Sequence, residues 1–209
     1  MMVTSLSLLI LVSALWTIQA KYRGLERHEY VAKPLTTILI LLLAVTRDGA
    51  GDPFYQAAIV VGLGFSLAGD VFLMLPGDRF VPGLASFLLA HLAYIVAFTS
   101  GGMGLSLVSL APFLPLMAVM YGVLAPHLGE MKVPVLLYEV VIIAMAWRAW
   151  ARWAQTDDTA ALLGAIGAVL FVASDAALAV NRFVGRFKAV HALVLGTYFC
   201  AQWLIALSI

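Results

Sequence analysis

The chain has 209 residues, of which 64% are hydrophobic and 11% charged, with a mean hydropathy of +1.04 and a net charge of +1. A soluble domain is roughly half apolar and about a quarter charged, so this composition excludes a water-soluble globule, and the near-neutral balance offers no basic footprint for nucleic acid. The single cysteine, Cys200, excludes an intrachain disulfide framework and a cysteine-based zinc site.

Apolar runs separated by short polar breaks predict eight spans, at 3–20, 31–46, 55–75, 80–99, 105–124, 133–151, 159–181 and 187–208. Each is near the ~20 residues that a helix needs to cross a bilayer. The alternation expected of a barrel is missing, and backbone groups in lipid must be satisfied internally, so the spans read as helices. The expected fold class is an all-α polytopic membrane protein with eight transmembrane helices in one integral membrane domain, residues 1–209. The first span lacks a basic residue ahead of it and has only a poor small-residue site at 18–20, so it reads as a retained helix and not a secretory signal. Pro76-Gly77-Asp78, Ser100-Gly101-Gly102 and Ala125-Pro126-His127 punctuate the breaks. With both termini outside, nine of the twelve Lys and Arg fall on the inner side, as the positive-inside rule requires.

One pattern occurs twice. Gly62, Ala68, Gly69, Asp70 and Leu73 in the third span match Gly167, Ala173, Ser174, Asp175 and Leu178 in the seventh. Around them, Lys33-Pro34 is echoed by Lys132-Val133-Pro134, Arg79-Phe80 by Arg182-Phe183, and His91 by His191. The order predicts a 4+4 parallel internal repeat about an axis along the membrane normal. Spans one and five contribute nothing to it.

The membrane-embedded polar residues share one depth. Asp70 lies about five residues from the inner end of its span, roughly 7–8 Å at the helical rise per residue. Asp175 and Glu139 lie at similar depth, Lys33 is close to the inner end of span two, and His91 is near mid-depth in span four. His191, Tyr198 and Gln202 form one stripe on span eight. A charge at a helix centre costs about 2.5–3.5 kcal/mol on insertion scales. Several at one depth therefore predict a shared polar cavity open to the cytosol, with a purely structural ion-pair network as the plainer alternative. Two carboxylates close together in a dry cavity divide their protonation, so that one donates a proton while the other stays ionised. That arrangement suits acid-labile ether and glycosidic chemistry. No Gly-x-Ser-x-Gly elbow is present, and four scattered histidines without an His-x3-His pair argue against a metal.

Lys33-Pro34, Gly69-Asp70, His91-x2-Tyr94, Glu139, Ser174-Asp175 and Thr197-Tyr198-x3-Gln202, in this order, resemble the YhhN-like lysoplasmalogenases. The resemblance covers the chain from span two to span eight. It implies hydrolysis of the vinyl ether of lysoplasmalogens, giving a fatty aldehyde and glycerophospho-ethanolamine or -choline. It needs no cofactor; the partner is a lysophospholipid within the membrane, with no obligate protein partner evident. The residues fit that chemistry. Protonation of the β-carbon gives an oxocarbenium ion, water adds, and the hemiacetal collapses. One neutral carboxylic acid and one carboxylate suffice. Asp70 and Asp175 are the expected catalytic pair, in either assignment. Glu139 is expected to tune them or hold water, Lys33 and Arg182 to bind phosphate, and His91, Tyr94, Ser174, Tyr198 and Gln202 to line the pocket. The expected location is the cell membrane, the inner one in a bacterium, with the site facing the cytosol. Two other readings compete. A proton-coupled transporter suits duplication and membrane acids. An intramembrane aspartyl protease suits paired acids, but Leu67-Ala68-Gly69-Asp70 carries only half of its Gly-x-Gly-Asp motif.

Overall fold

A computed structural model describes residues 2–47, 52–102, 104 and 106–209. Among the described residues eight α-helices form: α1 (Met2–Tyr22), α2 (Glu26–Thr46), α3 (Pro53–Met74), α4 (Phe80–Thr99), α5 (Phe113–Leu124), α6 (Lys132–Thr156), α7 (Thr159–Ala179) and α8 (Val190–Leu207). Among the described residues there is no strand. All eight expected spans correspond to segments long and apolar enough to cross a membrane. Leu105, expected to open span five, lies outside the described residues.

Local chemistry sets the ends. Asp52 caps α3 by accepting from the Phe54 N–H at 2.9 Å, with Pro53 at the first helical position. Gly77 and Asp78 turn the chain between α3 and α4 with positive φ. Span five departs most from expectation. A 3₁₀ turn at Val108–Leu110 precedes α5, which is only 12 residues long. Pro112 and Pro115 offer no amide hydrogens there, so the helix gains its first bonds late. Helix α2 starts five residues before its apolar run, with Glu26 and Glu29 in its first turn.

Helices α2, α3, α4, α6, α7 and α8 close a ring, α1 leans on α2 and α8, and α5 stands outside against α6. The neighbours repeat between halves. Pair α3–α4 matches α7–α8, pair α2–α3 matches α6–α7, and the contact of α4 with α6 matches that of α8 with α2. Phe80 and Phe183, the echoed aromatics, meet edge to face with ring centroids 5.6 Å apart. Small residues allow the tight pairs. A Cβ on Gly167 would lie 2.8 Å from the Ala201 carbonyl oxygen, and one on Gly69 would lie 2.7 Å from the Phe87 ring. Large apolar side chains such as Leu8, Val12, Val61 and Val119 remain exposed on the outer faces, where lipid is the solvent.

Candidate active site

Asp70 is 1% exposed, and both of its oxygens have neighbours, Oδ1 through an ion pair alone. Its Oδ1 lies 3.1 Å from the Lys33 Nζ of α2. Its Oδ2 accepts from Thr37 Oγ1 at 2.6 Å and from Tyr198 Oη of α8 at 2.8 Å. One cation and two hydroxyls thus converge on one carboxylate, which suits its ionised, acceptor-only form. Thr37 follows Lys33 by one helical turn, so a single face of α2 supplies both donors.

Asp175 has a sparser setting. Its Oδ2 accepts a short hydrogen bond from Tyr138 Oη of α6. The His91 Nε2 of α4 lies 4.0 Å from the same oxygen. Among the described residues neither ring nitrogen of His91 has a hydrogen-bond partner, and the ring packs edge to face on Phe171 and Tyr138. Among the described residues no Lys or Arg forms an ion pair with Asp175.

The two environments are symmetric in position and different in chemistry. Gly69 faces Phe87, and its counterpart Ser174 donates to the Val194 carbonyl of α8 at 3.0 Å. Gly62 faces the Tyr94 ring, and Gly167 faces Ala201. Both matches fix the same register between α4 and α8, and in that register His91 corresponds to Tyr198. The expected echo of His91 in His191 is therefore wrong by two helical turns. Short runs of similar apolar residues allow such a slip, and only packing against α3 and α7 resolves it. Each half lends this residue to the other half's acid: His91 of α4 faces Asp175 of α7, and Tyr198 of α8 holds Asp70 of α3.

A cavity of about 450 Å³ at the Lys- and Arg-rich end is lined by both acids, together with Lys33, Ser174, Arg182 and Tyr198. A narrower apolar cleft of about 50 Å³ runs between α4, α5, α6 and α7, past Leu84, Met120, Ile142 and Phe183. Leu73, Phe87, Asp175 and Leu178 line both. Asp175 therefore stands where the polar cavity meets the apolar cleft.

Several expected pocket residues sit elsewhere. Tyr94 and Gln202 lie beneath the acids as a buried pair, Tyr94 Oη donating to Gln202 Oε1 at 2.6 Å, and line neither space. His91 is likewise fully buried and reaches the site only through its contact with Asp175. Glu139 lines the apolar cleft, not the polar cavity; its carboxyl faces the Tyr121 backbone without a well-formed hydrogen bond. Lys33 is committed to Asp70, and Arg182 to Asp78 at 2.6 Å. Arg148 of α6 is buried and donates to Thr99 and to the Gly104 carbonyl. Thr37 and Tyr138 were not foreseen. The position of Thr37 one turn beyond Lys33 was a usable signal, whereas Tyr138 carried none beyond its place beside Glu139. Among the described residues no group of three His, Cys, Asp or Glu side chains converges as a metal site.

Residues 28–209 match the YhhN family. The chain is 30% identical over 205 residues to "Uncharacterized membrane protein YhhN" of Escherichia coli O157:H7, covering 96% of both chains. It is 33% identical over 178 residues to lysoplasmalogenase TMEM86B of Homo sapiens, covering 84% of this chain and 71% of that one. With lysoplasmalogenase TMEM86A of Bos taurus the identity is 36% over 155 residues, covering 72% and 64%. No solved structure matches significantly.

Proposed function

The chain belongs to the YhhN family, and from that premise we propose that it is a lysoplasmalogenase in which Asp175 is the proton donor and Asp70 the standing carboxylate. The relatives named lysoplasmalogenase support a hydrolase acting on the vinyl ether. The observation that carries the assignment is the position of Asp175 at the junction of a polar cavity and an apolar cleft, across the cavity from an acid held by Lys33, Thr37 and Tyr198.

The substrate is an amphiphile with its reactive bond where the apolar chain joins the polar glycerol. The alkenyl chain reaches in from lipid along the apolar cleft between α4, α5, α6 and α7, the glycerophosphate lies in the cavity, and the vinyl ether falls beside Asp175. The Asp175 carboxyl gives its proton to the β-carbon. The ether oxygen's lone pair forms the C=O⁺ bond as the C=C pair forms C–H. The resulting cation lies near the Asp70 carboxylate and the Phe87 ring, both negative surfaces that stabilise it. Water from the cavity adds to the cationic carbon and returns its proton to Asp175, closing the cycle. The hemiacetal then breaks its C–O bond, and the glycerol oxygen takes the hydroxyl proton. A fatty aldehyde leaves towards the lipid and the glycerophospho compound towards the cavity mouth. The positive-inside rule supports a cytosolic mouth in the cell membrane.

The test uses purified protein with a lysoplasmalogen and its ester analogue. Aldehyde from the first without fatty acid from the second supports the reading. Loss of at least about 100-fold in kcat is expected for both Asp70→Asn and Asp175→Asn, in line with acid–base contributions. A folded Asp175→Asn variant with near wild-type turnover would sink the assignment.

A further inference from the structure

The cations expected to take the substrate phosphate already have carboxylate partners, Lys33 in a buried pair with Asp70 and Arg182 in an exposed pair with Asp78. Lys21 is occupied as well, its Nζ donating to both oxygens of Glu29 at 2.7 and 3.0 Å. Arg186 is different. It is exposed at the cavity mouth, and among the described residues it meets no carboxylate. It lines both the catalytic cavity and an adjoining surface basin of about 760 Å³, which adds Tyr22 and Lys188. The two spaces also share His191 and Asn181. Asn181 lies in the π-helical turn Val180–Val184, and its Oδ1 has no hydrogen-bond partner. Such wide turns recur at functional sites because the extra residue redirects side chains.

The mouth also holds an acid. Besides Asp70 and Asp175, Glu29 is the one carboxylate among the described residues that lines the cavity. Lys21 uses one acceptor position on each Glu29 oxygen, and a carboxylate offers about four. An unpaired guanidinium and a carboxylate with spare acceptors thus stand at one opening. That is the complement of a zwitterion carrying a phosphate diester and an ammonium group.

We propose that this mouth is the headgroup subsite. Arg186, aided by His191 and Lys188, takes the phosphate diester, and Glu29 takes the headgroup ammonium. The proposal rests on the vinyl-ether reading above and assigns its specificity. Guanidinium pairs with phosphate oxygens through two parallel N–H bonds, so Arg186 fixes the glycerol end while the ether lies deeper, at Asp175.

Three substrates separate the two contacts: an alkenyl-glycerophosphoethanolamine, the alkenyl-glycerol phosphate without ammonium, and the alkenyl-glycerol without phosphate. Full-length Arg186→Gln is expected to raise KM about tenfold or more for the first two, as loss of a charged hydrogen bond implies, with little change in kcat. It leaves the alkenyl-glycerol unaffected. Glu29→Gln is expected to raise KM about threefold or more for the zwitterion alone. For the phosphate monoester it lowers KM or leaves it unchanged, because Lys21 is freed. The proposal is overturned if Arg186→Gln affects all three substrates alike or none. It is also overturned if Glu29→Gln raises KM equally for both phosphate-bearing substrates. If the wild type hydrolyses none of the three, the vinyl-ether reading fails. Titration of wild type and Arg186→Gln with a non-hydrolysable alkyl-ether lysophosphoethanolamine then decides the subsite by itself. Weaker binding to the variant upholds it, and equal binding removes it.

Discussion

Two aspartates of the same sequence pattern end in unlike company, and that difference is made by single side chains. Asp70 is buried with Lys33 at 3.1 Å, so removing one partner strands the other. Breaking a buried ion pair from one side costs about 3–5 kcal/mol, whereas removing both charges is far milder. Lys33→Met is therefore expected to lower thermal stability in detergent sharply. Lys33→Met with Asp70→Asn is expected to regain much of that stability without activity. Equal melting of the single and double variants would show that the pair contributes no coupling. Tyr138→Phe removes the hydroxyl donor of Asp175 while keeping the ring that packs on His91. Its expected effect is a fall in kcat of about tenfold, the order of one hydrogen bond to a charged group, with KM nearly constant. At this scale the acids were legible because a carboxylate in a lipid-crossing run is costly. Thr37 and Tyr138 were not, since a hydroxyl in an apolar helix is cheap and common. Tyr94 and Gln202 were misplaced for a related reason: the stripe on α8 was right, but helical periodicity says which residues share a face, not how deep the cavity reaches.

Helices α7 and α8 are held at a separation that a glycine permits. A Cβ at position 167 would meet the Ala201 carbonyl oxygen at 2.8 Å and the Ile205 nitrogen at 3.1 Å, and backbone cannot swing aside as a side chain can. Gly167→Ala is expected to destabilise by about 1–3 kcal/mol, the usual range for overpacking. Gly64 is the control, because a Cβ there has nothing within 4 Å. Gly64→Ala is expected to be neutral or to stabilise by up to about 1 kcal/mol through helix propensity. Melting curves of the two variants in one detergent check the opposite signs. Element existence was legible because each span must satisfy its own backbone in lipid. The fifth span's run is apolar throughout and predicts one helix, yet Pro112 and Pro115 delay α5 until residue 113. Apolarity places a segment in the membrane, but amide hydrogens decide where the helix begins.

Over the whole molecule, the matching arrangement of the two halves explains why two acids face one cavity. In each half the helix after the acid lends a side chain to the acid of the other half, His91 to Asp175 and Tyr198 to Asp70. One of these is a potential base and the other a weak acid, so exchange of equivalent positions itself makes the site unsymmetrical. The Asp segments revealed the repeat in the sequence, but the His echo misled, because register between distant helices is a packing property. The cavity lies at the end rich in Lys and Arg, which the positive-inside rule assigns to the cytosol. Two exposed positions report the orientation with little disturbance. Gly185 follows the π-helical turn at the cavity end, with nothing within 4 Å of an added Cβ. Asp158 precedes α7 at the other end, and its side chain makes no capping bond. With Cys200 replaced by Ser, Asp158→Cys is expected to react with a membrane-impermeant maleimide on intact cells. Gly185→Cys is expected to react only after permeabilisation. The reverse pattern would turn the cavity outwards, and the headgroup products would then leave on the outer side. Labelling of both from outside would mean that the segment between them does not cross, which a ring closed by α7 between α6 and α8 does not allow.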